Sequence, residues 1–139
     1  MAVRPHERLE HALVMTFNDT SQPAFTKGVE VKFNGSDTLL VATGGSDANA
    51  IGVTTQANAA GRPATVLLYG SNGVIPVVVG AAGATRGTLA VNAATGFVDA
   101  ATVGGGTTVQ YVRGMFLQTG VQNDLVGLFV GVNPSSVKA

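Results

Sequence analysis

From residue 27 to residue 33 the chain alternates, with Val29, Val31 and Phe33 on one face and Glu30 and Lys32 on the other. A period of two marks a half-buried strand, because successive side chains leave opposite faces of a pleated backbone. Asn34-Gly35-Ser36-Asp37 supplies turn chemistry and residues 38–42 a second apolar run, so the pair reads as a hairpin. The same criteria predict strands over 51–54, 64–69, 74–79, 88–91, 109–117 and 125–132. Small-residue stretches at 57–61 and 81–84 read as loops or single helical turns. No long helix is expected after Pro23, while residues 7–15 fit either a helix or an extended arm, since Arg4-Pro5 biases the entry toward extended backbone.

The fold expected is mostly β: a small β-barrel or sandwich of seven to nine short strands, with at most one or two brief helices. Valine occurs 21 times and threonine 15, the β-branched bias of strands, and 19 glycines punctuate them. Turn signals at such short spacing suit a barrel or a sandwich. We divide the chain into an N-terminal arm over 1–24 and a β domain over 25–139. An internal echo is visible. Ile51-Gly52-Val53 leads through a small polar loop to Val66-Leu67-Leu68-Tyr69-Gly70, as Arg113-Gly114-Met115 leads to Gly127-Leu128-Phe129-Val130-Gly131. It fits a duplicated hairpin, and equally a chance likeness.

Charge changes the picture. Eight basic and eight acidic residues cancel, and half of all sixteen lie in the first 32 positions. Only 12% of the chain is charged, against about a quarter in ordinary soluble domains. A surface so poor in charge suits a protein covered by other subunits. Nucleic-acid binding needs a basic surplus to neutralise phosphates, and none is present. The uncharged stretch from 63 to 85 is long enough to raise a membrane span. The turn residues 69–73 and Pro76 within it favour two strands instead. Arg4, Glu7, Arg8 and Glu10 occupy the place of a secretion signal's apolar core.

Site chemistry is sparse. His6 and His11 stand five apart in His6-Glu7-Arg8-Leu9-Glu10-His11, whereas a zinc-protease helix needs four, so no metal is expected. Cysteine is absent. Ser46 in Gly44-Gly45-Ser46-Asp47-Ala48 lacks the second glycine of a nucleophile elbow. Asp37, Asp47, Asp99 and Asp124 sit in turn-like contexts that favour bonding to their own turns over acid–base pairing. The glycine-rich runs 80–87 and 104–106 match no phosphate-loop pattern. We therefore expect no catalytic residue and no cofactor.

From Ala50 onward the glycine-and-turn pattern is similar to a known family. Its parts are Ala50-Ile51-Gly52-Val53 with Ala59-Ala60-Gly61, Val74-Ile75-Pro76-Val77 with Gly83-Ala84-Thr85-Arg86-Gly87, Asn92-Ala93-Ala94-Thr95-Gly96-Phe97-Val98 and the hairpin over 114–130. The chain resembles the small capsid decoration, or cement, proteins of tailed bacteriophages over about two thirds of its length. That resemblance implies a compact β domain, often trimeric, added to the outside of an icosahedral shell and carrying no catalytic residues. The expected partners are the major capsid protein and further copies of the chain, with no nucleic acid and no membrane. The expected location is the capsid exterior of the virion, after synthesis in the host cytoplasm.

The arm lies outside the resemblance, and its role is read from its residues. Arg4 and Arg8 with Leu9, Leu13, Met15 and Phe17 are the expected subunit or capsid contacts, apolar anchors rimmed by charge. Two other readings stand beside this one: a phage tail or fibre β-domain, and a carbohydrate-binding β-sandwich, against which the absence of tryptophan weighs.

Overall fold

The computed structural model describes residues 13–18, 20–35, 38–41, 49–69, 73–102, 104, 109–130 and 136–138. Among these the regular elements are strands β1 (Val14–Phe17), β2 (Glu30–Phe33), β3 (Leu39–Val41), β4 (Ala50–Thr54), β5 (Ala64–Leu68) and β6 (Val74–Val78). They continue with β7 (Leu89–Asn92), β8 (Val98–Ala100), β9 (Val109–Phe116), β10 (Leu125–Phe129) and β11 (Ser136–Lys138). A single 3-10 turn, Ala94–Gly96, interrupts them, with Thr95 in the left-handed region at φ 61°. Every strand expected from the sequence is present. The count of eleven exceeds the expected seven to nine because β1 falls in the segment assigned to an arm, and β8 and β11 have only three residues each.

The strands form two antiparallel sheets, neither closed into a barrel, which make a small sandwich. The first has the order β1-β5-β4-β2-β3 and the second β6-β10-β9-β7-β8, with β11 pairing to the start of β9. These are the same order. Each half of the chain lays down five strands by one plan, so the echo seen in the sequence extends beyond one hairpin to the whole sheet.

The registers repeat as well. Val31 stands opposite Gly52 and Ala90 opposite Gly114, and in both ladders the register slips at the next residue. The slip leaves Ile51 in β4 and Arg113 in β9 as the extra residues of two equivalent bulges. The bridge between Phe25 and Asn58 recurs between Ala84 and Gly120. Gly28 donates its N–H to the Thr54 carbonyl as Gly87 does to that of Phe116, and the two glycines share a left-handed φ of 83° and 84°. Gly52 and Gly114 are glycine for one reason. A Cβ on either would land on the carbonyl oxygen of the facing strand, Leu67 or Phe129.

Two apolar clusters hold the sheets. One joins Ile75, Val77, Val98, Phe116, Val126 and Leu128 of the second half to Val53 and Leu67 of the first. The other gathers Phe25, Val31, Leu39, Ala64 and Val66 within the first half, with Phe17, Ile51 and Leu68 packed beside it. Most of these side chains are fully buried, and each large one removed from water contributes roughly 1.5–3 kcal/mol before entropy is counted.

Candidate contact surface

Glu30 corrects the sequence reading. Alternation places it on the polar face of β2, yet it is fully buried. Its register partner is Val53, itself opposite Leu67, so this face of the first sheet is covered by the second rather than by water. A carboxylate there needs a partner, because desolvating an unpaired charge is costly. Arg113, the bulge residue of β9, supplies it: Nε donates to Glu30 Oε1 at 2.9 Å, with the arginine side chain only 6% exposed. The bulge matters here, since an extra residue re-aims a side chain off the regular alternation.

Tyr69, just past β5, completes the bridge. Its hydroxyl donates to Glu30 Oε2 at 2.7 Å, and the Arg113 guanidinium lies 5.7 Å from its ring centre. Burial first, and the neighbouring Glu30 charge second, hold the Tyr69 hydroxyl well above the usual phenol range. Three side chains from two sheets thus make a fixed polar link across the apolar interior.

On the far face of the first sheet, Met15, Phe17, Phe33, Ile51, Leu68 and Tyr69 line an open groove of about 380 Å³. The Phe17 and Phe33 rings meet edge to face, 5.5 Å apart at 74°. Leu13, Val14, Met15 and Phe33 remain exposed, from 39% to 56%. An apolar surface of this kind is what an interacting face presents.

Of the expected contact residues, Met15 and Phe17 come together in this groove, and Leu13 lies exposed just before β1. Arg4, Arg8 and Leu9 lie outside the described residues, as do His6 and His11. The segment 13–17 is not a free arm. All four residues of β1 pair with β5, Val14 to Leu67 through Phe17 to Ala64. Residues 20–25 are likewise packed in place: Gln22 is buried, and Asn58 accepts from the Phe25 N–H while donating to the Pro23 carbonyl.

Sequence reasoning missed Phe33, Ile51, Leu68 and Tyr69 as partners of Met15 and Phe17. Phe33 carried a signal, as the outermost member of the alternating apolar face.

A second cleft, of about 610 Å³, lies on the second half between Gly80, Asn92, Phe97, Asp99, Gln110 and Gln122. Burial raises the Asp99 carboxyl above its ordinary range, against the opposing pull of backbone N–H groups at Ala82, Gly83 and Gly80. Asp124 accepts from the Val121 N–H at 2.9 Å within its own turn. Among the described residues no group of three His, Cys, Asp or Glu side chains converges as metal ligands would.

No family model matches the chain, and no similar protein was found among curated ones.

Proposed function

We propose that this chain is a structural virion protein, a decoration protein that binds the outer surface of a phage capsid and stabilises the shell, and that it acts as a homotrimer without catalysis. The observation that carries the reading is the apolar groove of the first sheet, open beside an edge strand, β1, that has no charged residue. The body behind it is a cross-braced β framework whose buried ion pair is spent on holding two sheets together. A groove of apolar side chains on such a framework offers area and shape, the means by which repeated modest contacts hold a symmetric assembly. The poverty of charge and the resemblance of the glycine pattern from Ala50 onward support the same reading.

The test is to add purified protein to phage shells that lack it and compare them by electron microscopy. Regularly placed new density over the capsid faces is expected, and Phe33→Asp, which puts a charge in the groove, should strongly reduce it. Density confined to the tail, or equal occupancy by the Phe33→Asp protein, would overturn the proposal.

A further inference from the structure

The two halves share a strand plan but differ in how their first strands are covered. In the second half, the outer edge of β6 is closed by the first half. The Val78 N–H donates to the Gly28 carbonyl at 3.0 Å. Gly28 sits so close that a Cβ would meet the Pro76 carbonyl oxygen and the Leu125 side chain, each at 2.9 Å. The close approach of β6 leaves no room for a side chain at Gly28.

Among the described residues the equivalent pieces of the other pairing are both open. Gly87 is the counterpart of Gly28, in Thr85-Arg86-Gly87-Thr88 against Thr26-Lys27-Gly28-Val29. It keeps the same φ, yet nothing among the described residues lies within 4 Å of where its Cβ would be. β1 is the counterpart of β6, since Val14 to Phe17 pair with β5 as Val74 to Val77 pair with β10. It is an edge strand with Val14 and Met15 exposed. Among the described residues, a loop of the same backbone with no strand against it and a strand edge with no loop on it occur together.

We infer that the loop over 85–88 of one copy closes the β1 edge of a second copy, repeating between chains the contact that the loop over 26–29 makes with β6 inside one chain. The contact is heterologous, so it generates a ring or a filament rather than an isologous dimer. Its hydrogen bond is specified by the repeat. The Asn18 N–H, counterpart of that of Val78, donates to the Gly87 carbonyl of the neighbour. Thr16, counterpart of Pro76, contributes no N–H to the contact. The inference names the self-contact of the proposed assembly, and so rests on that reading for its purpose but not for its geometry.

The chain has no cysteine, so single cysteines report contacts cleanly. Full-length Asn18→Cys and Arg86→Cys proteins are mixed and treated with a short bis-maleimide, beside a control mixture of Asn18→Cys and Gln122→Cys. A covalent dimer is expected from the first mixture well above the control. In sedimentation, Thr16→Pro should associate as the parent does, because Pro76 already occupies that place in the repeat. Asn18→Pro should lose the associated species. Cross-linking no greater than the control, or an unchanged oligomer for Asn18→Pro, would overturn the inference. So would a parent protein that stays monomeric at its highest soluble concentration. A monomer that still decorated shells would overturn this contact and leave the capsid-binding part of the proposed function standing.

Discussion

Replacing Arg113 with methionine removes the cation from the inter-sheet bridge while keeping much of the side-chain volume. Glu30 is then a fully buried carboxylate that has lost the guanidinium 2.9 Å away. Removing one partner of a buried pair costs about 3–5 kcal/mol, because the remaining charge stays desolvated. That is a large part of the roughly 5–15 kcal/mol by which domains are stable, and it should lower Tm by roughly 10–15 °C at a few degrees per kcal/mol. Urea unfolding followed by far-ultraviolet circular dichroism reads the loss as a lower midpoint at unchanged slope.

The sign with pH follows from the buried acid that has lost its cation. Burial without the guanidinium favours the neutral acid over the carboxylate, and acid pH supplies the proton that relieves the unpaired charge. The Arg113→Met deficit should therefore shrink on acidification. Replacing Glu30 and Arg113 with Met and Tyr69 with Phe together removes every member of the bridge and should restore most of the loss, since a packed apolar substitute avoids desolvation altogether. An Arg113→Met protein within about 1 kcal/mol of the parent, the value of a surface pair, would refute the reasoning.

Tyr69→Phe removes a hydrogen bond to a charged acceptor and should cost about 1.5–3 kcal/mol in the same assay. Because the folded-state hydroxyl is held above the ordinary value near 10, the parent should lose stability as pH climbs past that value, and the variant should lose less. Gly52→Ala and Gly114→Ala each push a methyl into the facing strand, so both should destabilise by about 3 kcal/mol or more. A tolerated change at either position would contradict the equivalent bulges. Deleting residues 1–12 leaves all described strands intact, whereas deleting 1–19 strips β1 from β5. The second truncation should lower Tm further than the first, and equal melting of the two would show that β1 adds nothing.

The strands were legible where a side chain's fate depends on its immediate neighbours in sequence. The alternation over 27–33 and the apolar runs after Ala50 each specify a local backbone, and each holds a strand in the structure. Local pattern places Glu30 toward water because it cannot show that the second sheet covers the face of β2 opposite the exposed Phe33. The partner of Glu30 lies 83 residues away, a pairing that only the fold brings about, although Arg113 stands out as the one charge in an otherwise uncharged strand. Met15 and Phe17 were recognised as contact candidates from their apolar character. Their setting as a paired edge strand was not, since four residues show too few periods to separate strand from arm.

The repeated strand plan carries a hazard for the folding chain. Two halves with the same order and registers offer each strand a second home, in the wrong half or in another molecule, and such exchange is a known failure of repeat proteins. The residues at equivalent sites oppose it. Phe25 faces the place of Ala84, Thr54 that of Phe116, and Ala64 that of Val126, so large and small are exchanged between the two interiors. A strand settling in the wrong half would meet an overfilled core at one site and a void at the next. Thr54 would also lose the Thr26 carbonyl it donates to at 2.7 Å. Divergence of the halves therefore works as an address for each strand, and a chain with the two cores made alike should refold into mixed, exchanged species.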